Sequence, residues 1–215
     1  VHMYYAKSVE GQNGSYDYHI SKCIDIFYQE IERNKEALSN IMRDIEYSMD
    51  AFESNAYLAV SLHDFGKLSE NFQNEMKNKI FGSKLKTINF RHELLSVVYM
   101  ILATQDYFKK NYREFPFHYF AVLSHHKSLD INFSSFSNEW NSNQPWPLLK
   151  QEEYEYGLNL SQKYAKKEYG FVKNIERFKI KKETVFKLLE KYVLESYFVN
   201  WTLNQSSNST RVECK

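Results

Sequence analysis

Apolar residues recur at spacings of three and four along much of the chain. Ile20, Ile24, Phe27 and Ile31 form one such stripe and predict a helix from about Asp17 to Asn34. A second amphipathic helix is expected over 36–50. The run Ala56 to Leu62 predicts an apolar helix over 55–65 that ends at Phe65-Gly66, where Gly66 suits a left-handed closing position. Ser69 can cap the next helix, which runs through Phe72 and Met76 until Gly82-Ser83 break it. Arg91 to Phe108 reads as a long apolar helix. Pro116 suits the first turn of its successor, which reaches about His125. Residues 128–147, rich in Ser, Asn and Trp with Pro145 and Pro147, read as a long loop. Further helices are expected near 149–168 and 182–204. Residues 3–17 read as an irregular lead-in and Ser206 to Lys215 as a polar tail. Val1-His2 ahead of Met3 are expected to be a cloning scar.

Composition supports a helical reading. Among 215 residues there are only 6 Gly and 3 Pro, too few for the many turns of an all-β fold. An apolar content of 43%, with 17% aromatic, is that of a chain that folds around a core. The expectation is a single all-α domain over 3–205, with no internal repeat. A net charge of +1 creates no global field for DNA or an anionic membrane. Two local stretches are basic. Lys163 to Lys191 holds ten Lys or Arg against four Glu, and Lys77 to Arg91 holds five basic residues and no acidic one. Such stretches are commonly solvated helix faces, with nucleic acid the alternative contact. Cys23 and Cys214 give no disulfide framework, and neither a long apolar run nor a signal peptide is evident. A cytoplasmic protein that does not enter a membrane is therefore expected.

The candidate chemistry lies in the histidines. His63-Asp64 closes an apolar helix, where an ionisable pair is costly to bury unless it is paired or liganded. The bland alternative is a capping Asp beside a core His. Lys67, four residues after His63, can set a positive charge beside a phosphate, or simply sit exposed at a helix end. His125-His126 follows the apolar run Phe120 to Leu123, and imidazole is the commonest nitrogen ligand of transition metals. His19 sits one turn before Cys23, and His92 falls within Arg91-His92-Glu93. His118 receives no role.

The ordered set of His19, His63-Asp64-Phe65-Gly66-Lys67, Phe72-Gln73, Arg91-His92-Glu93 and Ser124-His125-His126-Lys127, led by Tyr4-Tyr5-Ala6-Lys7-Ser8, resembles a known family. It is similar to the HD nuclease of type I CRISPR interference, the nuclease part of the "Cas-three" helicase-nuclease. The resemblance spans residues 3 to about 204 and implies a helical HD-superfamily bundle. It further implies one metal ion on His19, His63 and Asp64, and a second on His92, His125 and His126, with Asp64 bridging. A histidine-rich site suits Mn, Fe, Co or Ni better than Mg or Ca. Lys67 would then neutralise charge on the phosphate. The sequence departs from the family near its end. Asn200, in Val199-Asn200-Trp201, stands where the family has a metal-binding Asp. An amide oxygen brings no charge, so the first site is expected to be the weaker.

The implied activity is metal-dependent hydrolysis of single-stranded DNA in CRISPR antiviral interference. The resemblance also implies a separate helicase and an RNA-guided surveillance complex as partners. The chain has no Gly-x-x-x-x-Gly-Lys-Ser/Thr loop, so it carries no helicase motor of that type. The alternatives are an HD phosphohydrolase acting on nucleotides, a nuclease domain joined to a type III or type I-D large subunit, and a catalytically silent module that binds DNA or partners, for which Asn200 is the best support.

Overall fold

The structure, a computed structural model, describes residues 3–110, 117–126 and 146–173. Pro116, most of the 128–147 loop, the helix expected at 182–204, Asn200, Cys214 and the polar tail lie outside the described residues. The described part is all-α. It comprises α1 (Tyr16–Arg33), α2 (Lys35–Asp44), α3 (Met49–Leu62), α4 (Glu70–Phe81), α5 (His92–Lys110), α6 (Phe117–Ser124) and α7 (Gln151–Tyr164). Short 3-10 turns occupy Gln12–Gly14 and Phe65–Leu68. No strand occurs among the described residues; Tyr5 and Ser15 form one isolated antiparallel bridge.

Serine caps start three of the helices. The side chains of Ser15, Ser48 and Ser69 accept from the backbone N–H groups of Tyr18, Ala51 and Phe72. Each such cap contributes about 1 kcal/mol. The expected helix over 36–50 is in fact two. α2 stops at Asp44, Glu46 takes a left-handed φ of 55°, and Ser48 starts α3 six residues earlier than the apolar run alone indicates. No Gly or Pro marks that break. α7 is likewise shorter than expected at both ends.

α5 is the centre of the packing. Leu94, Leu95 and every residue from Val97 to Ala103 are buried, against α6 and the 3-10 turn before α4. α3 sits between α1 and α6. Ile20, Ile24 and Phe27 turn the apolar stripe of α1 into this core. The aromatic content is used as amphipathic filling. The buried hydroxyl of Tyr57 donates to Ser161 O at 2.6 Å, that of Tyr154 donates to Val172 O at 2.8 Å, and that of Tyr99 accepts from Leu149 N at 2.8 Å. Large rings thereby enter the core with their polar tips satisfied.

His118 on α6 is wholly buried, with its ring 4.1 Å from that of Tyr119. Burial drives its pKa down to about 3. In the unfolded chain it would titrate near 6.5. The unfolded state therefore takes up a proton that the folded state refuses, and stability falls as pH drops from about 6.5 towards 3. The loss of unfolding free energy between pH 7 and pH 5 should be about 2 kcal/mol smaller in His118→Leu than in wild type. Urea titrations of both proteins at the two pH values would show it; equal losses would mean that His118 is not neutral in the fold.

Candidate metal centre

Four segments converge on one carboxylate. α3 ends at Leu62 and His63 still has helical backbone angles, whereas Asp64 has left the helix, with φ −102° and ψ 14°. This bend lets adjacent side chains face one point, which neighbours inside a helix cannot do. Asp64 is 1% exposed. Its Oδ2 lies 2.8 Å from His19 Nε2, 3.3 Å from His63 Nε2 and 2.8 Å from Lys67 Nζ. Its Oδ1 lies 3.2 Å from His92 Nε2 and 3.5 Å from His125 Nε2. His126 completes that side, its ring 4.0 Å from that of His125 and 5.2 Å from that of His92. The sequence-predicted residues His19, His63, Asp64, Lys67, His92, His125 and His126 are thus brought together. Asn200 lies outside the described residues.

The tautomers of two histidines are fixed by their neighbours. His63 Nδ1 is 2.7 Å from Val60 O, and His125 Nδ1 is 2.6 Å from Val122 O. A carbonyl only accepts, so both Nδ1 atoms carry the hydrogen. In the neutral rings, Nε2 then presents a bare lone pair to a carboxylate oxygen. Two acceptors facing each other repel unless a cation stands between them. Asp64 Oδ1, His92 Nε2 and His125 Nε2 are buried and make no hydrogen bond despite their closeness. Such orphaned atoms carry a cost of about 1–3 kcal/mol each.

The donor set fits a metal ion. Ligand atoms about 2.1 Å from one ion are about 3.0 Å apart at a right angle and about 3.4 Å apart at a tetrahedral angle. The Asp64–imidazole separations of 2.8 to 3.5 Å match this range. The ligand atoms of Asp64, His92, His125 and His126 lie within 4.8 Å of one another, as do those of His19, Cys23 and His63. The cluster can therefore hold a metal ion.

Electrostatics agree. Burial opposes ionisation of Asp64, but His125, His19, His63 and His92 around it hold its carboxyl well below the ordinary range. Burial also resists a charge on His63, yet its contact with Asp64 raises its pKa overall. Burial first, then His125 and His92, lowers that of His126. Behind His92 stands buried Glu93, 3.7 Å from His92 Nδ1 and 3.4 Å from Arg91. A carboxylate behind a histidine is a common outer support for a ligating imidazole.

Three further residues position the cluster. Gln73, buried on α4, accepts from Tyr5 N at 2.8 Å and donates to Tyr5 O and Lys67 O at 2.8 and 2.7 Å. It ties the N-terminal segment to the turn that carries Asp64 and Lys67. Ser96 accepts from Gly66 N at 2.8 Å and donates to His92 O at 2.9 Å. Gly66 does not close a helix in a left-handed conformation, as its place after the apolar run indicates; the left-handed glycine that does so is Gly82, after α4. Gly66 is needed for close approach, since a Cβ there would lie 2.1 Å from His92 O. Cys23, among the described residues, stands near the cluster with a side chain of a kind that can ligate a metal, and the expected set omits it. Its only sequence signal is its spacing of four from His19.

No protein-family model matches the chain, and comparisons with curated proteins and with solved structures return no significant match. No helix among the described residues is long and apolar enough to cross a membrane.

Gly66→Ala should push the first turn of α5 away from the Asp64 turn and displace His92. Overpacking of this kind costs about 1–3 kcal/mol, sometimes more. Urea unfolding should show that loss, and Mn(II) titration should show weaker binding. Unchanged stability and unchanged binding would contradict the close approach.

Proposed function

We propose that the chain is a metal-dependent phosphodiesterase that cleaves single-stranded DNA, in line with its resemblance to the HD nucleases of CRISPR interference. The observation that carries the reading is one buried carboxylate whose two oxygens face separate histidine sets. His19 and His63 would hold one ion with Asp64 Oδ2. His92, His125 and His126 would hold a second with Oδ1. Mn, Fe, Co and Ni are the ions this donor set suits. When bound, a pair of such ions polarises a phosphate and makes a nucleophile of water near neutral pH.

The residues of the chain supply the rest. Asp64 is kept ionised by its neighbours and so serves both sides at once. The Val60 and Val122 carbonyls aim the lone pairs of His63 and His125 inward. Lys67 lies against Asp64 Oδ2 and over the Phe72 ring, at 5.6 Å from its centroid. From there its ammonium offsets negative charge that a phosphate would bring. Partnership with a separate helicase and an RNA-guided surveillance complex belongs to the same proposal.

A polymeric substrate is favoured over a free nucleotide by the segment that leads into His92. Lys84 and Lys86 on it are exposed. Its backbone is held by a row of α4 asparagines. Asn71 donates to Ile88 O and accepts from Ile88 N, Asn74 donates to Lys86 O, and Asn78 donates to Leu85 O and accepts from Leu85 N. A fixed, basic strip that leads into His92 suits a phosphodiester backbone.

Asp64→Ala should reduce Mn(II)-dependent cleavage of single-stranded DNA to background while circular dichroism stays helical. Undiminished cleavage by the folded variant would exclude this site. Replacing Lys84 and Lys86 together by Ala should weaken binding to single-stranded DNA and lower its salt dependence by about one to two released counterions. Hydrolysis of bis-p-nitrophenyl phosphate should be unchanged. Equal effects on the polymer and the small ester would favour a nucleotide phosphohydrolase instead.

A further inference from the structure

Cys23 lies one helical turn after His19 on α1, on the same face. The stripe Ile20, Ile24 and Phe27 fixes the rotation of that helix against the core. Cys23 Sγ consequently stands 3.9 Å from His19 Nε2 and 4.0 Å from His19 Nδ1. Together with a ring nitrogen of His63 it forms a group of three donor atoms within 4.8 Å. We propose that Cys23 is a thiolate ligand of the ion held on the Oδ2 side of Asp64. The proposal rests on the metal-centre reading above and adds a ligand to it.

Three observations support it. The first is distance. A sulfur about 2.3 Å and a nitrogen about 2.1 Å from one tetrahedral ion are about 3.6 Å apart. The 3.9 Å separation is within a few tenths of that, and long for a hydrogen bond that would otherwise explain it. The second is the company it keeps. His19 and His63 are each less than a fifth exposed, and both meet Asp64 Oδ2 within 3.3 Å. The third is charge. The two sides share a single carboxylate, and the Oδ1 side has three imidazoles. The Oδ2 side has two, so a thiolate gives it a third donor and a negative charge of its own. Coordination is a simple exchange: the S–H proton goes to solvent as the sulfur–metal bond forms, with no change of oxidation state.

The two sides would then differ in softness. A thiolate favours Co(II), Fe(II) or Zn(II), whereas a nitrogen-and-oxygen set accepts Mn(II) readily. Cys23 thus makes the Oδ2 side the more selective half of the centre.

Co(II) titration of the Cys214→Ser protein, which leaves Cys23 as the sole thiol, tests this directly. The expected spectrum has visible d–d bands and a sulfur-to-cobalt charge-transfer band in the near ultraviolet. In the Cys23→Ser, Cys214→Ser protein the charge-transfer band should vanish. One class of Co(II) site should weaken at least about tenfold while the other is retained. X-ray absorption at the cobalt edge of the Cys214→Ser protein should show a sulfur neighbour, a readout that does not require the second variant to fold. Co(II) bound with d–d bands but no charge-transfer band and no sulfur neighbour would overturn the Cys23 assignment and leave the metal centre standing. No Co(II) binding at all would overturn both.

Discussion

An ionised carboxylate taken out of water costs several kcal/mol unless its surroundings replace the lost hydration. Asp64 sits in that position, almost completely buried, with both oxygens inside the protein. Much of the surrounding structure follows from meeting this demand. Lys67 and four imidazoles stand within 3.5 Å of its two oxygens, drawn from α1, the end of α3, the start of α5 and the residues after α6. Protonating every one of these bases would place five positive charges around one negative. Leaving the imidazoles neutral makes the bare Nε2 atoms of His63 and His125 face an acceptor. A divalent ion on each side would resolve both difficulties, because it would be attracted by the carboxylate and take the lone pairs at once.

The helices are arranged so that side chains reach this point from element ends as well as faces. His19 projects from within α1, but His63, His92 and the His125-His126 pair occupy termini, where backbone direction changes and adjacent residues can turn the same way. Rigid packing then holds the termini. Gly66 brings the Asp64 turn against the first turn of α5, Ser96 stitches the two together, and Gln73 fastens the N-terminal segment from the other side. A centre held within a few tenths of an ångström needs such outer supports, since ligating side chains alone do not fix their own rotamers.

α1 and α4 were legible in the sequence because periodicity and cap agreed: a three-and-four apolar stripe on one, and Ser69 ahead of Phe72 and Met76 on the other. The boundary between α2 and α3 was not. Its left-handed residue is Glu46, an uncommon place for a non-glycine, and it carries none of the usual turn signals. Gly66 stands out in the sequence, but a glycine after an apolar helix serves equally as a cap or as a space, and only the position of His92 decides. The same division holds at the centre. His63-Asp64 and His125-His126 stand out as polar pairs ending apolar runs. Glu93 appears in the sequence only as part of the Arg91-His92-Glu93 motif, and Ser96 looks like any serine on a helix. Cys23 has a half-buried helical position that a small apolar residue fills as often, so its proximity to His63 required the α1–α3 packing.

The candidate ligands are scattered from residue 19 to residue 126, with long helices between them. No short stretch of the chain contains a complete set. A ribosome-bound chain would have to deliver α6 before His125 and His126 could join a carboxylate made some sixty residues earlier. Individual helices can form locally beforehand, but closing the separations between the segments costs entropy that only packing repays. An ion on the His92, His125 and His126 side could in this way be captured only after α6 has been made, whereas the residues of the His19, His63 and Asp64 side are all present by residue 64.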